Sequence, residues 1–252
     1  MKRINNSQWN WGQDGFRKVL FFSVLLLFLG CSFSTQEISF KGELTHCSQQ
    51  KIALYQLFPD YEQKIMEAEI KNGNFTLKHQ GITAEQLEQF PSFYKIALSE
   101  TNYIVTLASP GNKIVIQGDA SNLVKTYQVS GPKDPLLMWQ LDRQLKLFID
   151  SVEALQAIYK EHLYNDSIKI EIEKLYNQYI LNHQNFLFHT IRNNSASLAT
   201  LTAFYQRFNR RIFIEEKEHL HLLQSMYETL NKNYPNNPNL IYLKERLDQI
   251  SE

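Results

Sequence analysis

The sequence predicts an α+β protein, in which an N-terminal antiparallel β-sandwich or barrel-like domain is followed by an all-helical domain with a long helical hairpin. Three observations carry this. Residues 37–131 hold short alternating apolar segments separated by turn residues. The break Gly131-Pro132-Lys133-Asp134-Pro135 ends that rhythm. Apolar residues then recur at steps of three and four through much of 132–252.

Residues 1–30 read as a lipoprotein signal peptide and residues 31–36 as a tether. Arg17 and Lys18 precede an apolar run, Val19 to Leu29, interrupted only by Ser23. A bilayer-spanning helix needs about 20 apolar residues, so this run suits the core of a secretory signal instead. It ends Leu27-Phe28-Leu29-Gly30-Cys31. Gly30 is the small residue before the cut, and the Cys31 thiol takes the diacylglycerol, so labelled palmitate is expected to enter the anchored protein. Phe28 stands where leucine is commonest in such a lipobox. The other reading is an uncleaved signal anchor with Cys31 incidental.

The β region begins with Ile38-Ser39-Phe40 and continues with Lys51 to Leu57. Lys64 to Ile70 and Phe75 to His79 flank Asn72-Gly73, whose two residues tolerate the positive φ of a tight hairpin turn. Tyr94 to Leu98, Tyr103 to Ala108 and Lys113 to Gln117 complete the series, with Pro110-Gly111-Asn112 turning the chain between the last two.

In the helical region, Asp134 is expected to cap the first helix with Pro135 at its first position. Leu141, Leu145, Phe148, Val152, Leu155 and Tyr159 form one seam. After Asn165-Asp166-Ser167, Ile168, Ile172, Leu175, Tyr179, Asn182 and Phe186 form its partner, as in a coiled-coil hairpin. Asn182 either fixes register on that seam or lies at its edge. Three shorter helices are expected over 197–208, 214–233 and 239–250. Glu215, Glu216 and Glu218 would begin the second of these, where a helix N-terminus favours negative charge.

Charge excludes some functions. The chain holds 26 basic and 26 acidic residues. Losing residues 1–30 removes four basic residues (Lys2, Arg3, Arg17, Lys18) and one acidic residue (Asp14), leaving 22 and 25. That balance makes no footprint for nucleic acid and no polybasic patch for anionic lipid. With Cys31 acylated, Cys47 is the one remaining thiol, so it is either buried or available to another molecule.

Candidate chemistry is sparse. His219 and His221 are two apart on an expected helix and point roughly 200° from each other. His183 and His189 are too far apart along a helix for one ion, and His46-Cys47 lacks further ligands nearby. No metal is therefore expected, and with no Gly-x-Ser-x-Gly elbow, phosphate-cradling glycine loop or dinucleotide fingerprint, no cofactor or catalytic residue is expected either. Asp60 and Glu62 beside Tyr61 suit a cation or sugar, or simply a solvated loop. Arg207, Arg210 and Arg211 near Phe208 read as cations at a helix end, or as an anion site.

Several segments resemble, in order, the N-terminal region of TlpA/ResA-like thiol–disulfide interchange lipoproteins. They are Phe40-Lys41-Gly42, Ile70 to Phe75, Ser109 to Gly118, Asn193 to Leu201 and Tyr234 to Pro238. The resemblance implies a lipobox, a small β domain and a helical segment ahead of a thioredoxin domain. That domain carries the family's chemistry on a Cys-x-x-Cys pair, which Cys31 and Cys47 do not make. The expected function is thus a non-catalytic binding or scaffold lipoprotein of a Gram-negative-type envelope, facing the periplasm and holding an envelope protein. The alternative is an accessory to thiol–disulfide exchange, working with a separate thioredoxin-fold protein.

Overall fold

Two four-stranded sheets pack face to face, and a set of helices covers the outer face of one of them. The computed structural model describes residues 37–80 and 90–251. The expected signal peptide, the Gly30-Cys31 lipobox and the tether lie outside the described residues. Strands β1 (Glu37–Thr45), β4 (Asn74–Gln80), β7 (Lys113–Asp119) and β8 (Gln128–Ser130) form the first sheet, in the order β4-β1-β7-β8. Strands β2 (Lys51–Leu57), β3 (Glu62–Glu69), β5 (Ser92–Ala97) and β6 (Tyr103–Ala108) form the second, in the order β3-β2-β5-β6.

Alternation explains the sandwich. Ile38, Phe40, Leu77, Ile114 and Ile116 point inward from the first sheet and meet Ile52, Leu54, Tyr94, Ile96 and Ile104 of the second. Lys41, Glu43, Lys113 and Gln117 take the intervening, exposed positions. Strand β6 differs because it is covered on both faces. Ile104 and Ala108 join the core between the sheets, while Val105 and Leu107 pack against the helical core. A strand buried on both sides reads as a nearly continuous apolar run, as Tyr103 to Ala108 does.

The α+β class holds, and the sandwich is open rather than a closed barrel. One pairing departs from the antiparallel expectation. Strands β1 and β7 run parallel, in register from Ser39↔Lys113 to Thr45↔Asp119. A parallel pair needs a long connection, and the whole β2–β6 segment supplies it.

The Asn72-Gly73 turn is formed as expected, with φ of 52° and 77°. Lys71 and Asn74 exchange backbone bonds of 2.9 Å. The flanking strands do not continue as a hairpin, because β3 belongs to the second sheet and β4 to the first. The turn is a corner between layers. A helical turn, Leu123–Thr126, and β8 follow β7, where the apolar pattern signals no element.

Helix α1 (Lys133–Glu161) and helix α2 (Asp166–Asn193) make the long hairpin. The cap differs from expectation. Pro132 is the N-cap without a side-chain bond, and the Asp134 carboxylate accepts from Ser197 Oγ at 2.7 Å. Asn165 does cap α2, accepting from the Ile168 amide at 3.2 Å.

The seam of α1 is partly as expected, with Leu141, Phe148, Val152 and Leu155 buried and Tyr159 exposed. That of α2 is rotated. Leu175 and Asn182 face solvent, whereas Ile180, His183, Leu187 and Ile191 are buried. Asn182 accepts from Gln178 Nε2 at 2.8 Å, four residues before it, and fixes no register. A search for apolar letters passes over His183, and so misplaces the stripe by about one residue, or about 100°.

Helices α3 (Ala199–Phe204), α4 (Leu220–Asn233) and α5 (Pro238–Ser251) complete the chain. The first two are shorter than expected. Between them, β9 (Arg207–Phe208) and β10 (Arg211–Ile212) form a tight ribbon, turned at Asn209 with φ of 53°. The three arginines therefore sit on a ribbon rather than at a helix end. Among the described residues, no helix is long and apolar enough to cross a membrane.

Candidate functional site

Helix α5 has two faces with different tasks. Leu240, Leu243 and Leu247 are buried in the helical core. Asn239, Tyr242, Arg246 and Gln249 follow at steps of three and four, so they share a row on another face. That row lines a cleft of about 610 Å³, which is closed on other sides by Phe93 and Val105 of the second sheet and by Leu201 and Tyr205. Mostly apolar clefts of roughly 300–1,000 Å³ with a few fixed polar groups are the usual form of ligand sites.

The fixed polar group here is a three-residue network. Arg246 Nε donates to both oxygens of Glu216, at 3.1 and 3.2 Å, and its Nη2 donates to Oε2 at 2.5 Å. The Tyr205 hydroxyl donates to Glu216 Oε1 at 3.1 Å. The bonds from Arg246 hold the Glu216 carboxyl below the usual carboxylate range. Burial, and then the negative charge of Glu216, push the Tyr205 phenol above its ordinary value. At neutral pH the network is thus a carboxylate, a guanidinium and a neutral phenol. A planar guanidinium gripping a carboxylate in this way fixes both side chains, and so gives the cleft a shape.

The sequence pattern puts Glu216 at a helix N-terminus. The structure puts it in the turn before α4, which begins only at Leu220, and turns its side chain toward Arg246. Arg207 lines this cleft, while Arg210 and Arg211 line another. Tyr205 and Arg246 carried no signal in the sequence. The polar row on α5 was readable, but a polar helix face is ordinary.

The remaining candidates lie apart from this cleft. Glu62 is bound to Lys95 Nζ at 2.5 Å, and the same ammonium lies 4.6 Å from the centre of the Tyr55 ring. Tyr61 stacks on Phe58 with ring centres 4.6 Å apart. Asp60 is exposed beside them. His46 Nδ1 donates to Asp119 Oδ2 at 2.8 Å. Cys47 is half-buried in the loop between β1 and β2, with Sγ 3.5 Å from the Gln49 carbonyl.

His183 is buried and its Nε2 donates to Gln206 Oε1 at 2.7 Å. His189 Nε2 accepts from Asn193 at 2.7 Å. His219 packs edge-on to Phe188, and His221 is exposed. Among the described residues, no three His, Cys, Asp or Glu side chains are grouped to hold a metal ion. The chain matches no protein-family model, no curated protein and no solved structure.

Proposed function

We propose that the chain is a membrane-tethered envelope lipoprotein, anchored through Cys31, that acts as a non-catalytic binding or scaffold module. The observation that carries the binding reading is the cleft between the second sheet and α5. It joins an apolar wall, Phe93 and Val105, to a charged network whose members are already locked together. Such a network recognises a partner without being spent in a reaction. The signal-like segment ahead of Gly30-Cys31, together with the resemblance to the N-terminal part of thiol–disulfide interchange lipoproteins, supports the envelope placement.

Two measurements in intact cells test this. Labelled palmitate should enter the protein and fail to enter a Cys31→Ala variant; equal labelling of both would remove the anchor. A photo-crosslinking side chain at Tyr242, which is 51% exposed on the cleft rim, should capture a defined envelope protein. The same group at Val115, on the outer face of the first sheet, should not. Equal capture at both positions would remove the cleft from the reading. Capture of a thioredoxin-fold protein through a mixed disulfide at Cys47 would favour the accessory role in thiol–disulfide exchange.

A further inference from the structure

We propose that a second cleft, between the two long helices and the arginine ribbon, binds a small organic carboxylate with an apolar body. This site is separate from the α5 cleft and goes beyond the reading above. Its volume is about 670 Å³, within the roughly 300–1,000 Å³ of small-molecule sites. Val152 and Leu155 of α1 are buried, and with half-buried Phe208 they present an apolar lining. Phe208 lies edge-on to Phe148, with ring centres 5.4 Å apart, which packs this wall against the helical core.

The polar side of the cleft has the opposite character. Arg210 and Arg211 line it from the β9–β10 ribbon, and neither makes an ion pair among the described residues. The ribbon pairing Arg211↔Phe208 and the positive φ of Asn209 hold both arginines at the rim. The Arg211 guanidinium lies 5.7 Å from the centre of the Tyr176 ring, which orients it while leaving its N–H groups open. Lys169 adds a third cation, bonded at 3.1 Å only to the exposed Asp166. Glu173 is the one acidic side chain in the lining, so the rim keeps an excess of positive charge.

Two guanidiniums beside an apolar wall match an anionic head joined to an apolar body. A guanidinium is planar and offers a fork of N–H donors, which suits a carboxylate's two oxygens. A concave cleft of about 670 Å³ suits a free molecule better than an extended surface such as a bilayer. The carboxylate would take the Arg210 and Arg211 donors, and the apolar body would lie over Val152, Leu155 and Phe208.

The test is calorimetric titration of the purified protein with decanoate, decanol and acetate. Decanoate is expected to bind about tenfold or more tightly than decanol, since only its charged oxygens make charge-assisted hydrogen bonds with the guanidiniums. Acetate, lacking the apolar body, is expected to bind more weakly still. The Arg210→Ala/Arg211→Ala double variant, both sites being exposed, should keep its melting temperature and lose about tenfold or more of decanoate affinity. Its decanol affinity should stay unchanged. Equal binding of decanoate and decanol, decanoate binding that survives the double variant, or no binding at all would each overturn the proposal. None of these outcomes alters crosslinking from Tyr242, so failure here is separable from failure of the α5 cleft.

Discussion

The Tyr127 hydroxyl donates to the Asp142 carboxylate at 2.5 Å and ties the end of the β region to α1. Trp139 Nε1 adds a bond of 2.9 Å to the Tyr127 carbonyl. Burial pushes the Asp142 carboxyl up and outweighs the downward effect of the bond from Tyr127. Its folded value therefore lies above its unfolded one. Any stability arising from this shift is complete below the unfolded value, near 4, and is lost as pH rises through the folded value.

The pair makes an asymmetric prediction. Tyr127→Phe leaves the carboxylate without its donor and should cost about 1–3 kcal/mol at pH 7, with a smaller cost near pH 4. Asp142→Asn keeps an acceptor and cannot ionise. It should match or exceed the parent's melting temperature at pH 7, an advantage that shrinks toward pH 4. Melting curves by circular dichroism between pH 4 and 8 check both.

His183 titrates in the other direction. Burial lowers its value below 6.5, against a smaller upward effect of the bond to Gln206. A depressed value means that the unfolded chain binds the proton more readily. Stability should be full above pH 6.5 and fall as pH drops through the lowered folded value. His183→Leu should start about 1 kcal/mol less stable, because Gln206 Oε1 loses its donor, and should lack this component of the acid slope. The ring-proton shift of His183 followed by NMR against pH reports the same value directly.

Two turn glycines separate strain from collision. Gly73 and Gly111 both have positive φ, at 77° and 82°. A Cβ on Gly73 would stand 2.3 Å from the Leu44 carbonyl oxygen, whereas one on Gly111 would meet nothing within 4 Å. Gly111→Ala should cost about 1–2 kcal/mol, the left-handed backbone penalty alone. Gly73→Ala should cost clearly more, because the Leu44 backbone must also move. Urea denaturation of the two variants ranks them; equal costs would mean that the corner yields freely.

Arg246→Ala should weaken the α5 cleft more than the fold. The Arg246 side chain is 45% exposed, so the pair contributes about 0.2–1 kcal/mol to stability. Glu216 has a lowered folded value, so this contribution is present above its unfolded value, near 4.5, and is lost as pH falls through the folded one. Capture at Tyr242 should drop sharply in this variant at pH 7, with little change in melting temperature.

Much of the local structure was legible. The strands Lys51–Leu57 and Tyr103–Ala108 stand at the bounds that their short apolar segments and flanking turn residues indicate. The helical hairpin and its break at Asn165-Asp166-Ser167 followed from apolar spacing and its interruption, whereas the cap made by Asn165 did not. The phase of α2 was not legible, since His183 is buried by its bond to Gln206, a partner 23 residues away.

Composition and order of residues settled the α+β class, most strand positions and the positive-φ turn at Asn72-Gly73. These depend on forces acting within a few residues: side-chain alternation, helical spacing and backbone sterics. Which sheet each strand joins, the parallel β1–β7 pair and the burial of β6 on both faces came from packing between layers. The same holds for the grip of Arg246 on Glu216, 30 residues apart. Contacts of that range leave no periodic trace, because their cost and gain are decided only when distant segments exclude water together.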